Sequence, residues 1–222
     1  MVVNVGDVVL PGECLPEPRS NKGVVILGPG LRRSEDDSKG LTVSRAGVLC
    51  HKAPNMYWVE GHAKRYVPCK GDLVVGVVAK KSGDQFKIDI GSAEHASLSA
   101  FSFEGATKKQ KPDLQVGDVV YAKLVTAHRE MEPELVCVNK YFKAANLGPL
   151  SNQGFLLNLD SRLIVRLLDV QHPLLAVLAK TCAYEIAIGM NGKVFVMGRT
   201  SKDTMHVAEA LLAAQHHDNV TT

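Results

Sequence analysis

Gly71-Asp72-Leu73-Val74-Val75-Gly76-Val77-Val78-Ala79-Lys80-Lys81-Ser82-Gly83-Asp84-Gln85-Phe86-Lys87-Ile88-Asp89-Ile90 is the stretch that decides the fold. A Gly-Asp turn feeds a β-branched run, Asp72–Lys80, which reads as a strand. Lys81-Ser82-Gly83-Asp84 is turn chemistry. Phe86-Lys87-Ile88-Asp89-Ile90 then alternates strictly, which puts Phe86, Ile88 and Ile90 on a buried face and Lys87 and Asp89 on the outer one. Reading outward, Ala96–Phe103, Asp118–Thr126 and Glu134–Val138 supply three more short strands. Five strands punctuated in this way predict a small closed barrel of the OB type over residues 67–140.

The opening phrase returns as Val5-Gly6-Asp7-Val8-Val9 and Val116-Gly117-Asp118-Val119-Val120. The spacings are unequal, so this is shared turn chemistry and not a solenoid repeat. Residues 1–66 read as an N-terminal β domain. Val24–Leu27 is a strand stopped by Gly28-Pro29-Gly30, and Thr42 through Leu49 and Met56–Val59 supply two more. Residues 32–40 read as a solvated polar loop.

Residues 141–222 change character, in the order β-α-α-β-β-α. Gly154–Leu159 reads as a strand. Ser161–Val170 carries Leu163, Val165, Leu167 and Leu168 at helical spacing. Pro173 opens a second helix through Leu174, Leu175, Val177 and Leu178. Tyr184–Ile188 and Lys193–Met197 flank Gly189-Met190-Asn191-Gly192, which reads as a hairpin turn. Thr200-Ser201-Lys202-Asp203 is a capping box, and the helix it starts runs to about His216 with Val207, Ala208, Leu211, Leu212 and Ala214 on its apolar side. The fold class expected is mainly β with a C-terminal α+β module.

The 222 residues suit two domains or three small ones. No apolar run approaches the ~20 residues that span a bilayer, and the first residues lack the basic and apolar regions of a secretory signal. Five scattered cysteines without C-x-x-C argue against a disulfide framework or a zinc ribbon. The net charge is +3, and no third of the chain is strongly basic. Any nucleic-acid contact must therefore come from local clusters. At 5% aromatic residues, such a surface is expected to stack little.

Searching for chemistry excludes more than it finds. Gly28-Pro29-Gly30-Leu31-Arg32-Arg33 has arginine where a dinucleotide loop needs its third glycine, and there is no Walker A sequence. The histidines show no H-x-x-x-H on a predicted helix. His216-His217 suit a helix C-terminus. Glu35-Asp36-Asp37 is crowded by Arg32, Arg33 and Lys39. No nucleophile elbow or converging carboxylate set appears, so neither catalysis nor a metal or other cofactor is expected.

The best site candidate is Lys108-Lys109-Gln110-Lys111-Pro112, between the third and fourth barrel strands, with Lys80 and Lys81 extending the rim. Ammonium groups this close repel unless they are solvated or set against phosphates. A soluble loop remains the competing reading. Gly189-Met190-Asn191-Gly192 has the form of the RNA-clamping G-x-x-G of KH domains. Its place is wrong for that, because it joins two strands. The helix-to-helix link reads Asp169-Val170-Gln171-His172-Pro173 and has no glycine. Gly189, Asn191 and Gly192 are therefore read as structural.

Several stretches together carry a resemblance: Tyr66-Val67-Pro68, Gly71-Asp72, Ser82–Lys87, Ala96–Ser99, Phe103-Glu104-Gly105-Ala106-Thr107-Lys108-Lys109, Val116-Gly117-Asp118, Met131–Glu134 and Gly189–Lys193. In their order, and over nearly the whole chain, they resemble the cap subunits of the eukaryotic RNA exosome that carry S1 and KH domains. The resemblance implies an N-terminal domain, an S1-type OB barrel and a divergent KH-like domain. It implies a non-catalytic subunit seated with other S1/KH caps on a ring of RNase PH-like subunits. There it would guide single-stranded RNA toward a ribonuclease supplied by another subunit and help stabilise the ring.

On that resemblance, Lys108, Lys109 and Lys111 fall near the RNA path. The Gly-x-Asn-Gly turn is expected to support packing between the KH and S1 domains. One departure is Val194-Phe195-Val196, where the family often has tryptophan at the centre; phenylalanine keeps the apolar body and loses the N–H donor. The expected location is the nucleus, including the nucleolus, and the cytoplasm, with no membrane partner. A free-standing S1/KH RNA-binding regulatory factor is the alternative.

Overall fold

The computed structural model describes residues 4–16, 24–34, 40–61, 65–128, 130–169 and 172–220, with side chains of the last helix described to Gln215. The acidic trio 35–37, Lys39, the link residues Val170 and Gln171, and the side chains of His216 and His217 lie outside the described residues. The chain forms two compact units, Met1–Ala63 and Lys64–Thr222.

Among the described residues the first unit holds seven short strands: β1 (Val8–Val9), β2 (Cys14–Leu15), β3 (Ile26–Leu27), β4 (Leu31–Arg33), β5 (Leu41–Val43), β6 (Gly47–Lys52) and β7 (Met56–Glu60). They form a sheet in the order β1-β6-β7-β3 and a second in the order β2-β5-β4. The run from Thr42 to Leu49, expected as one strand, is two. Ser44-Arg45-Ala46 breaks it, and the two halves serve different sheets. Val9, Leu15, Leu31, Leu41, Val43, Leu49 and Val59 form the core of this unit.

The second unit begins with the barrel. Its strands are β8 (Leu73–Ser82), β9 (Gln85–Asp89), β10 (Ala96–Ser99), β11 (Val119–Thr126) and β12 (Glu134–Val136). β8 pairs with β9, β9 with β10, and β8 with β11, all antiparallel. β12 closes the ring by pairing parallel to β10 and antiparallel to β11. Alternation decides the faces: Phe86, Ile88, Leu98, Val120, Ala122 and Leu124 all turn inward and are buried. Each large side chain buried in this way contributes about 1.5–3 kcal/mol. Gly76 lets the sheet close, since a Cβ there would lie 2.3 Å from the Ile88 side chain.

Two barrel strands are shorter than their sequence suggests. β10 stops at Ser99, where the Ser99 carbonyl accepts from the Ser102 N–H at 3.0 Å and the Ser99 hydroxyl accepts from the Phe101 N–H at 3.3 Å. That turn drops Phe103 back into the core. β12 ends at Val136, two residues early.

The C-terminal part follows β13 (Gly148–Pro149), which pairs with β11. Its elements are β14 (Phe155–Asn158), α1 (Ser161–Leu168), α2 (Pro173–Thr181), β15 (Tyr184–Ile188), β16 (Lys193–Gly198) and α3 (Ser201–Val220). The sheet order is β14-β16-β15, and the helices cover one face of it.

On α1 the buried arc is Leu163, Ile164 and Leu167, while Val165 and Leu168 face out. Positions i, i+1 and i+4 share a face at 100° per residue, and Val165 falls outside that arc. Val177 and Leu212 are exposed for the same reason, beside buried Leu178 and Leu211. Asp160 caps α1, accepting from the Arg162 N–H at 3.2 Å. At α3 the Thr200 hydroxyl accepts from the Asp203 N–H at 3.2 Å, and the Asp203 carboxylate accepts from the Thr200 N–H at 3.1 Å. This is the reciprocal capping box expected there.

Candidate nucleic-acid interface

Lys81 and Lys111 of the expected rim come together at one end of the barrel, where the β8–β9 hairpin faces the loop after β10, whereas Lys80 stands opposite Lys87 in the β8–β9 pair. Gly83 supplies the left-handed residue of the hairpin turn, with φ of 58°. The Asp84 carbonyl accepts from the Ala100 N–H at 2.8 Å, tying the turn to the end of β10. Two ion pairs then bind hairpin to loop in crossed fashion. Lys81 Nζ lies 2.7 Å from Asp113 Oδ1, and Lys111 Nζ lies 2.5 Å from Asp84 Oδ1. Lys111 also stands 5.1 Å from the centre of the Phe101 ring. The Lys81 ammonium donates to Asp113 and attracts it, holding its carboxyl below the ordinary value.

Lys81 and Lys111 are therefore each matched by a carboxylate, and their first role is to fasten the loop. Lys108 and Lys109 differ. Thr107 and Gln110 bond to each other's backbone, N–H of 107 to O of 110 at 2.9 Å and the reverse at 3.2 Å. This leaves the two lysines at the centre of a tight turn. Both are exposed and have no ion-pair partner among the described residues, and Lys80 is the same. Of the five lysines expected in the rim, the ones without an ion-pair partner among the described residues are Lys80, Lys108 and Lys109.

The anchoring acids Asp84 and Asp113 were not legible as site residues. Their signal was sequence proximity to a basic run, which does not show which lysine each one takes.

The outward face of β9 is occupied. Lys87 forms an ion pair with Glu132, from the stretch Met131–Glu134. Asp89 accepts from Lys193 Nζ at 3.0 Å, and the same ammonium donates to the Asp89 carbonyl at 3.0 Å. Burial alone would raise the Asp89 carboxyl, but the Gly91 N–H and the Lys193 ammonium outweigh it and hold the group below its ordinary value.

Gly189-Met190-Asn191-Gly192 joins β15 to β16 and packs on the barrel. Asn191 Nδ2 donates to the carbonyls of Val75 and Ile90, both at 2.8 Å, and Asn191 Oδ1 accepts from the Val75 N–H at 3.3 Å. The Met190 N–H donates to the Leu73 carbonyl at 2.8 Å. Gly192 carries the positive φ, 83°. Gly189 is needed for closeness: a Cβ there would lie 2.2 Å from Asn191 Oδ1 and 2.7 Å from the Val75 nitrogen. Below the turn, Val75, Ala187 and Phe195 form a buried cluster between barrel and sheet. The Phe195 ring fills the space over Gly154, where a Cβ would meet ring carbon Cζ at 2.0 Å.

A cleft of about 500 Å³ opens beside the lysine loop, lined by Phe103, Ala106 and Lys111 on one side and by Ala144 and Leu147 on the other. Among the described residues no group of three His, Cys, Asp or Glu side chains could hold a metal ion.

Residues 66–148 match the family model for the S1 domain of exosome complex component RRP40, and residues 2–62 match the model for the N-terminal part of the mammalian component. Residues 154–202 match a KH domain model. The exosome complex component RRP40 of Drosophila melanogaster is 41% identical over 94% of this chain and 89% of its own length. That of Homo sapiens is 40% identical over 96% of this chain and 86% of its own. The chain belongs to the RRP40 family. The RRP40 of Saccharomyces cerevisiae is 32% identical over 89% of this chain and 84% of its own length. The crystal structure of an exosome complex RNA-binding protein superposes with a TM-score of 0.53 at 19% identity, covering 72% of this chain and all of the other, which supports the fold. Within the RRP40 frame, the lysine turn lies in the S1 match and the Asn191 turn in the KH match.

Proposed function

We propose that this protein is a non-catalytic, RNA-binding cap subunit of the exosome that guides single-stranded RNA toward the central channel. The observation that carries this reading is the extent of the RRP40 likeness, about 40% identity through the N-terminal, S1 and KH parts together. The free ammonium groups of Lys80, Lys108 and Lys109 supply the chemistry. A phosphodiester strand brought to them exchanges its condensed counterions for fixed charge, with no base specificity. Bond cleavage, 3′ to 5′, belongs to another subunit. The partners are RNase PH-like ring subunits and other S1/KH caps, whose ring this chain helps stabilise. It works in the nucleus, including the nucleolus, and in the cytoplasm, without a membrane partner.

The test is affinity purification of the tagged chain from cells, with identification of co-purifying proteins and gel filtration of the native species. Ring and cap subunits eluting with it in a large particle are expected. A small species binding RNA alone would favour a free-standing regulatory factor. RNA cleavage by the pure chain would end the non-catalytic reading.

A further inference from the structure

The loop that follows the barrel's last strand is unusual in its backbone. Among the described residues, the non-glycine positions with positive φ are Phe142 at 59°, Ala145 at 45° and Asn146 at 69°, all within five residues. A bulky L-residue adopts that region only when its surroundings impose it.

The surroundings do so here. The Asn139 N–H donates to the Lys143 carbonyl at 2.8 Å, and the Phe142 N–H to the Asn139 carbonyl at 3.0 Å. Asn139 Oδ1 accepts from the N–H groups of Tyr141 at 2.8 Å and Lys143 at 3.1 Å. Glu104, from the loop that leads to the lysine turn, accepts from the Ala144 N–H at 2.6 Å.

This fastened loop holds two aromatic rings in water. Tyr141 is 82% exposed and Phe142 81%, the most exposed large hydrophobic side chains described. Lys140 and Lys143 flank them, also exposed and without an ion-pair partner among the described residues. The aromatic loop and the lysine loop both line the 500 Å³ cleft, one through Ala144 and Leu147, the other through Ala106 and Lys111.

We propose that Tyr141 and Phe142, with Lys140 and Lys143, form a base-stacking platform for single-stranded RNA beside this cleft. The proposal rests on the RNA-binding reading above and adds a second site to it. Every base offers a π-face, so rings of this kind bind unpaired nucleotides with little regard to sequence. The charge favours nucleic acid over a protein partner. Lys108, Lys109, Lys140 and Lys143 put four uncompensated positive groups on the two loops, and a phosphate chain can thread between bases stacked on one loop and lysines on the other. The overall aromatic content predicted little stacking; two of the few rings are concentrated at one point, which suits holding a strand in place.

The experiment uses the full chain and a fluorescein-labelled oligouridine of about twelve nucleotides, a length matched to one OB fold and its flank, read by anisotropy across a salt series. Y141A/F142A is expected to weaken binding at least about tenfold while leaving the salt slope unchanged, because stacking releases no counterions. Tyr141→Phe keeps the ring and should bind as the parent does. Tyr141→Ala alone, at a position with ordinary φ, gives the same direction should the double variant fold poorly. Lys108→Glu with Lys109→Glu should instead flatten the salt slope.

Unchanged affinity in Y141A/F142A overturns the platform and leaves the lysine-based reading standing. No affinity of the full chain for oligouridine at low salt also overturns it, whereas membership of the exosome is judged separately by co-purification. Normal RNA binding by Y141A/F142A combined with loss of co-purifying subunits would make the loop a protein contact and overturn the platform too.

Discussion

The side chain of Asn191 hydrogen-bonds both backbone groups of Val75, 116 residues earlier in the chain, with its Nδ2 donating to the carbonyl and its Oδ1 accepting from the N–H. A side-chain amide has the donor and acceptor spacing of a peptide group, so Asn191 stands in for a strand neighbour on the barrel's outer surface. It also takes the Ile90 carbonyl, and three backbone groups depend on one residue.

Removing that amide leaves buried partners unsatisfied. Asn191→Ala should destabilise the second unit by about 2–4 kcal/mol, a fall of roughly 5–10 °C in Tm for a chain of this size. Asn191→Asp should be at least as damaging, because an oxygen replaces the nitrogen that faces two carbonyls. Thermal unfolding followed by circular dichroism reads both. An unchanged Tm in either variant would contradict the bonding described.

Gly154→Ala tests the packing of Phe195. The added methyl would fall on the ring, and displacing it should cost about 1–3 kcal/mol. Phe195→Leu in the same background should recover part of the loss. Denaturant unfolding with an unchanged m-value measures it.

Asp89 links pH to the junction between barrel and sheet. Its pKa is depressed in the folded state, despite burial, by the Gly91 N–H and Lys193. A depressed carboxyl contributes stability that is fully present above the unfolded value of ~3.9 and is lost as pH falls through the folded value. Lys193→Met should raise the Asp89 pKa toward that ordinary value and move the onset of acid unfolding upward. A carboxyl-carbon NMR titration of parent and variant checks the sign.

The cysteines report on the barrel core. Burial pushes the Cys137 thiol up to about 12, whereas Cys14 and Cys69 are exposed. A thiol reagent near pH 8 should label Cys14 and Cys69 rapidly in the folded chain and reach Cys137 only after denaturation. Rapid modification of Cys137 in the native protein would place it outside the core.

Lys108→Glu with Lys109→Glu should impair RNA entry into the assembled complex, read as loss of RNA protection, and shift stability by no more than ~0.5 kcal/mol, since neither side chain holds an ion-pair partner among the described residues. Lys111→Glu is a poorer probe of charge alone. It sets two carboxylates together at Asp84 and frees the loop as well.

Much of this architecture was written in local pattern. Phe86-Lys87-Ile88-Asp89-Ile90 declared its buried face through alternation, and Thr200 to Asp203 declared a cap, because both depend on neighbours a few residues away. The resemblance added the order of the modules. The misplaced elements depend on the tertiary environment. Thr42 to Leu49 looked continuous but is divided between two sheets, and Val165 is apolar yet faces out because the sheet lies under Ile164.

The site was legible only as composition. Lys108 to Lys111 announced a positive loop, but nothing local said that Lys111 is spent on Asp84 and that Lys108 and Lys109 are not. Tyr141-Phe142 between two lysines was readable in principle. The low aromatic total hid it, because an average conceals a concentrated pair.

Val75 points out of the barrel, yet it is fully buried by Ala187 and Phe195. On a translating ribosome those covering residues arrive more than a hundred codons later, a delay on the order of ten seconds at ordinary elongation rates. The nascent barrel therefore shows an oily spot to solvent until residues 187 to 195 have been made, and a chaperone has that interval in which to shield it.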